Sequence, residues 1–431
     1  MKRALTFAAA SALALAASAA AAQDLAITNA TVATGDGSAP MEGATVVIKA
    51  GKVVAVGREV RPDPSIPTLD GTGTWVTPGI FAAMTDLGLY DVGAVEESND
   101  RSASTSRFNA ALDVAPAINN ASQHIGVSRA GGVTRSLVTP AQSGSLFAGQ
   151  GALIDLGADP DAVRQARILQ LANLGESGAS QSGGSRTAAH VELRNALREA
   201  SDFAAGRWSG EDNLLPRADA EALGPVVSGR QKLFIEAERA SDILAVLALR
   251  QEFPKLDIVL VRASEGWLVA DAIAAAGVPV IADPLDDLPE KFEQIAATQS
   301  NVGRMVKAGV TVAIGGLARG NNLQPRNAPQ MAGNLVALSK IPGADGLTWE
   351  QALATITSAP ARIAGINNAG VLKPGAVGDV VIWDGDPLEV STAPIRVYID
   401  GVEQPLDNHQ TQLRKRYRDL EESDLPKAYN W

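Results

Sequence analysis

Residues 76–90 read VTPGIFAAMTDLGLY, and the fold turns on this stretch. A β-branched run closes at Thr77 on a Pro78-Gly79 turn. A second short apolar run then delivers Met84, Thr85 and Asp86 just ahead of Gly88. Upstream, residues 24–57 alternate apolar and polar positions in short pieces, the pattern of antiparallel strands with one buried face. Asp36-Gly37 and Ala50-Gly51 stand where hairpin turns belong.

Downstream the pattern changes. Residues 232–237 (KLFIEA), 258–263 (IVLVRA), 278–282 (VPVIA) and 311–315 (TVAIG) are short β-branched runs. The segments between them, 241–252, 265–276 and 288–308, carry alanine, leucine and charge at helical spacing. Strands alternating with helices predict βαβ units and a parallel sheet. Residues 132–140 and 152–156 are earlier strand candidates. Two stretches rich in Gly and Ser, 139–151 and 175–186, read as surface loops, the second as a disordered insertion. A second β-rich piece follows the α/β middle, GVLKPGAVGDVVIWDGDPLEV over 370–390, and can close on the first. Residues 412–422 place Leu413, Tyr417 and Leu420 on one helical face, read as a helix docking on the domain, with partner binding as the other reading.

The frame of 76–90 resembles the signature of the metal-dependent amidohydrolase superfamily, VTPG(L/F)ID-A-H-T-H-LG. The piece at 370–390 resembles that family's closing motif, G-(V/L)-L-x-P-G-x-x-(A/G)-D-(V/L)-V-(I/V)-(W/L)-D-G-D-P. The likeness is to the exported, imidazolonepropionase-like amidohydrolases. It implies an α/β protein, a (β/α)8 TIM-like barrel plus a small composite β-sandwich made from both termini. It implies boundaries of 1–22 for a signal peptide, 23–75 for the first sandwich part, 76–360 for the barrel, 361–405 for the second sandwich part and 406–431 for a C-terminal tail helix. It also implies hydrolysis of non-peptide C–N bonds with zinc or another divalent metal, whose bound water loses a proton near neutral pH.

The family's ligand positions hold other residues here. Its two first-strand histidines correspond to Met84 and Asp86, its next histidine to Glu236, and another to Arg262 or Ser264. Its final-strand aspartate corresponds to Leu317. The chain has three histidines, His124, His190 and His409, and no two share ligand spacing. His124 reads as a partly buried helix residue, His190 as exposed or near a cap, and His409 as a tail residue. The sequence therefore predicts no bound cofactor and a barrel whose metal centre has been lost. Asp86, Glu236 and Asp283 remain as candidates for residual carboxylate chemistry, and with Glu238 they are oxygen donors of the kind calcium or magnesium accept. The competing expectation is that these carboxylates pair with Arg239, Arg262 or Arg319. The candidate partners are a small-molecule ligand or an active amidohydrolase relative.

Composition narrows the rest. Lys2-Arg3, an alanine-rich apolar run too short to span a bilayer, and Ala20-Ala21-Ala22 read as a cleavable signal peptide cut after Ala22, which predicts a periplasmic or secreted protein. The formal charge of −11 becomes two units more negative once Lys2 and Arg3 leave, which argues against nucleic acid and anionic membrane partners. Without cysteine there is no disulfide, thiolate nucleophile or Cys-based metal site. No G-x-S-x-G elbow or P-loop occurs. Gly149-Gln150-Gly151 starts like a dinucleotide fingerprint but meets Ile154 where its third glycine belongs.

Overall fold

The computed structural model describes residues 22–210, 213–284, 286–315 and 324–418. The expected leader, apart from Ala22, lies outside these residues, as do Leu317, Arg319 and Leu420. Among the described residues no helix is long and apolar enough to cross a membrane.

The chain opens with strands β1 (Leu25–Val32), β2 (Met41–Lys49), β3 (Lys52–Gly57), β4 (Thr68–Asp70) and β5 (Trp75–Pro78). The barrel begins with β6 (Ile80–Thr85), followed by α1 (Gln123–Ala130), β7 (Val133–Val138), β8 (Phe147–Asp155) and β9 (Val163–Asn173). Next come α2 (Glu176–Gln181), α3 (Arg186–Ala204), α4 (Arg217–Val227), β10 (Lys232–Ala237), α5 (Ala240–Glu252), β11 (Ile258–Arg262), α6 (Ala270–Ala275), β12 (Val280–Ala282), α7 (Asn301–Lys307) and β13 (Val312–Ile314). Helices α8 (Ala328–Leu338), α9 (Trp349–Thr355) and α10 (Ser358–Ala364) lead to β14 (Val380–Trp383), β15 (Pro394–Ile399), β16 (Val402–Glu403) and α11 (His409–Tyr417).

Two eight-stranded sheets result. The first runs β16-β15-β14-β5-β1-β2-β3, with β4 beside β1, so both ends of the chain build it. Strand β5, half of the opening motif, pairs with β1 and β14, and the barrel proper starts at Ile80. The sheet rolls on itself: Gly378 N donates to the Gly51 carbonyl at 2.8 Å, and Gly375 N to that of Val53 at 2.8 Å. Ile27, Val46, Ile48, Val380 and Tyr398 fill the roll.

The second sheet, β6 through β13 in sequential order, is a nearly closed TIM-like barrel. Phe81, Leu137, Leu171, Phe234, Val259 and Ile281 pack its interior. At the seam between β6 and β13, Phe81 N donates to the Ile356 carbonyl at 2.9 Å, so the turn between α9 and α10 satisfies the edge. Outside, α3 buries Ala189, Leu193, Ala196, Leu197 and Ala200 at helical spacing, and Ser185 caps it.

Four expectations need correction. Residues 147–151 are not loop: β8 runs antiparallel between β7 and β9, so one strand of the barrel opposes the other seven. Its glycines serve close approach, since a Cβ at Gly149 would lie 2.8 Å from the Leu112 carbonyl oxygen, and one at Gly151 would lie 2.6 Å from that of Val138. The Gly/Ser stretch at 175–186 is likewise ordered. Asn173 Oδ1 accepts from Gly175 N at 2.9 Å and Gly178 N at 3.1 Å, which starts α2. The predicted helix over 288–308 shrinks to α7 and a single 3-10 turn, because Glu293 and Gln294 turn inward to buried polar partners. Finally, α11 forms but buries no residue, and Tyr417 remains 50% exposed.

The two sheets are joined by a buried fork. Arg135 on β7 places Nε 2.7 Å from Asp379 Oδ2, and Nη2 3.2 Å from Asp379 Oδ1 and 2.6 Å from Asp400 Oδ1. Asp379 also accepts from Asp400 N at 2.9 Å, so the β15–β16 turn is part of the same lock. Arg135→Ala would strand two carboxylates, one of them with its side chain only 3% exposed. The expected loss is about 3–5 kcal/mol in urea-unfolding stability, and a loss under about 1 kcal/mol would show that the fork is not the joint.

Candidate functional site

In a barrel of this kind, chemistry gathers at the C-terminal ends of the parallel strands. Here those ends carry charge above an apolar plug that Met84, 2% exposed, helps to cap. Beside Met84 a cleft opens, walled by Thr139, Pro140, Ile314, Pro325, Ala328 and Met331.

The candidates separate into two groups. Asp86, just past β6, faces Arg101, whose Nη1 is 3.4 Å from Asp86 Oδ2 and whose guanidinium lies 4.5 Å from the centre of the Tyr90 ring. Glu236, at the end of β10, faces Arg262 on β11, with Nε 2.8 Å from Oε1 and side chains 11% and 16% exposed. That N–H is not aimed at the carboxylate, so the pair is held by charge rather than by an aligned hydrogen bond. Asp283 and Asp286, past β12, and Glu238, past β10, act on the same guanidinium. Burial alone would lower the Arg262 pKa, but these four carboxylates together raise it.

Strain accompanies the pairing. Arg262 and Ala263 have φ of +70° and +49°, consecutive left-handed residues that curl the strand end. Asn301 Nδ2, donating to the Ala263 carbonyl at 2.9 Å, and Gly266 N, donating to it at 2.8 Å, hold the curl in place. Such conformations cost about 1–3 kcal/mol each and concentrate at functional positions.

Next to this pair lies a hydroxyl between two acids. Ser264 Oγ is 2.6 Å from Glu238 Oε2 and 2.9 Å from Asp286 Oδ2. One hydroxyl proton serves one acceptor. Both contacts are therefore satisfied when Asp286 is protonated and donates to Ser264, which donates to Glu238. Burial, then the charge of Asp283, raise the Asp286 pKa and favour that state. Glu238, fully buried, also accepts from Gln294 Nε2 and has Lys291 Nζ 3.8 Å away.

The structure thus brings Glu236 and Asp283 into one electrostatic cluster and places Asp86 in a separate contact. The expected pairing of carboxylates with arginines holds for Glu236 with Arg262. Asp86 uses Arg101 instead, and Arg239 turns to Asp242 at 2.8 Å. The sequence reading missed Asp286, Lys291, Gln294 and Arg101. The acid-rich DPLDD run at 283–287 was the available signal for Asp286, whereas nothing local marks Gln294. The histidines stand on helices. His124 on α1 contacts the Asp91 carbonyl at 3.1 Å and the Tyr90 ring, and His409 begins α11. His190 is half-buried near the capped start of α3, and burial, then Arg194, lower its pKa.

A model of the amidohydrolase family matches residues 266–403. The chain is 25% identical over 403 residues to the amidohydrolase tasK of Hapsidospora irregularis, an alignment covering 83% of this chain and 39% of that protein, so it spans about two fifths of that relative's length. Among solved structures it resembles an amidohydrolase from Thermotoga maritima MSB8, with a TM-score of 0.77, 24% identity and coverage of 88% and 99% of the two chains. It also resembles the atrazine chlorohydrolase TrzN of Arthrobacter aurescens TC1 complexed with zinc, with a TM-score of 0.51, 15% identity and coverage of 91% and 98%.

Zinc takes nitrogen, thiolate and carboxylate donors in compact sets. Among the described residues no three His, Cys, Asp or Glu side chains are arranged to hold a metal ion. The thioether of Met84 and carboxylates facing guanidinium groups do not fit such a site.

The raised pKa of Asp286 fixes a pH dependence. The folded state binds more protons than the unfolded one, so this group's stabilising contribution is complete below the ordinary carboxylate range and is lost as pH rises through the folded pKa. Asp286→Asn, which mimics the protonated acid, should raise the melting temperature at pH 7–8, with the gain shrinking towards pH 4. A gain that grew on acidification would contradict the assignment.

Proposed function

We propose that the chain is an exported, ligand-binding member of the amidohydrolase superfamily that has lost the metal centre and does not hydrolyse C–N bonds, a reading that starts from the family model and the related amidohydrolase it matches. The Glu236–Arg262 pair carries this reading. A metal centre needs anionic donors facing a cation, and here the carboxylate at the end of β10 already faces one supplied by the chain. Removing a partner from such a pair leaves an uncompensated charge, so the arrangement resists conversion to a metal site. The apolar cleft beside Met84 and the charged strand ends give a small molecule both contact area and polar anchors. An active relative as a protein partner is compatible with the same reading.

One observation favours a second reading, a hydrolase built on carboxylates. Asp286, its pKa raised by burial and by Asp283, contacts Ser264 near the mouth, and buried acids of raised pKa serve as general acids. Under this reading Asp86 and Glu236 would supply the remaining chemistry.

Assays on amides, cyclic amides and dipeptides separate the two. The purified mature protein should show no turnover above background, with or without added zinc or manganese. Any turnover above background would overturn the first reading, and turnover that survives the Asp86→Ala/Glu236→Ala double substitution would count against the second as well.

A further inference from the structure

Between β12 and α7 the chain presents Leu288, Phe292 and Ile295 to solvent at 79%, 83% and 66% exposure. Together they amount to on the order of 400 Å² of apolar surface, the scale at which patches mark interaction sites. The segment is pinned from beneath. Glu293 accepts from Glu176 N at 2.7 Å and from Arg186 Nη2 at 3.0 Å, and its own N donates to Glu176 Oε1 at 3.0 Å. Gln294 donates to Glu238, Ala296 N to Glu265 at 3.1 Å, and Trp267 Nε1 to the Ala296 carbonyl at 2.8 Å. Buried polar contacts therefore hold three large apolar side chains outward.

The charges at this surface are acidic. Asp287 and Glu290 are exposed among the apolar residues, while Lys291 turns inward to Glu238 and Glu293. Two copies of the patch would repel each other, and its complement is a surface both basic and apolar. The chain carries one: α11 buries no residue and exposes Arg414, Lys415 and Arg416 beside Tyr417, with Leu413 half-buried. Lys415 is held by Asp407 at 3.0 Å, which leaves Arg414 and Arg416 to supply the outward charge.

The geometry points to a head-to-tail contact in which α11 of one copy docks on the Leu288–Phe292–Ile295 patch of another. Tyr417 and Leu413 would lie on the apolar residues, and Arg414 and Arg416 against Asp287. Such a contact is heterologous, so it closes into a ring or extends as a filament. Sedimentation velocity of the full mature chain over a range of concentrations tests it. The wild type should associate, and Phe292→Asp and Arg414→Glu/Arg416→Glu should each weaken association by at least about tenfold with unchanged melting curves. Asp287→Lys combined with Arg414→Glu/Arg416→Glu should restore it. A wild type monomeric throughout, association indifferent to either variant, or a charge swap that fails to rescue would each overturn the contact.

Discussion

The fork from Arg135 to Asp379 and Asp400 is the joint on which the architecture depends. Besides the core that each fills for itself, the barrel and the terminal sheet share a buried cluster in which Val381, Trp383, Val397 and Ile399 of the sheet join Val133 and Ile154 of the barrel. To that non-directional packing the guanidinium adds a directional constraint: it is buried, it needs counter-charge, and it finds two carboxylates at the start of β14 and the β15–β16 turn. In the same region β5 and β14 pair across more than three hundred residues, and β6 enters the barrel directly from β5.

Positioning of the mouth follows. Strand β6 lifts Met84 over the apolar plug and delivers Asp86 to Arg101, while β10 and β11 bring Glu236 to Arg262 in strict parallel register. In a low-dielectric setting, a carboxylate without a cation is costly. The mouth meets that requirement with guanidinium groups from the chain, and burial together with Asp283 raises the pKa of Asp286 where the carboxylates outnumber them.

Much of this architecture was legible in the sequence. The alternation in β1 to β3 and the β-branched runs of β10 to β13 carry the periodicities that decide element type, and the 370–390 piece is distinctive residue by residue. What escaped is tertiary in origin. Gly149 and Gly151 look like loop residues until a neighbouring backbone is found against them. Residues 288–300 have helical composition, yet Glu293 and Gln294 gain more from buried partners than a helix offers. At the site, residue types pointed to Glu236 and Arg262, but the Asp286–Ser264–Glu238 chain depends on loops whose approach no local pattern encodes.

At the barrel mouth the Glu236 carboxylate faces a cation supplied by the chain itself, and the proposed loss of the metal centre rests on that pair. The most direct measurement is the metal content of the protein, purified without chelators, by inductively coupled plasma mass spectrometry. The account predicts zinc and manganese far below one equivalent per chain, unchanged by Arg262→Gln. Stoichiometric, tightly held zinc or manganese would contradict it.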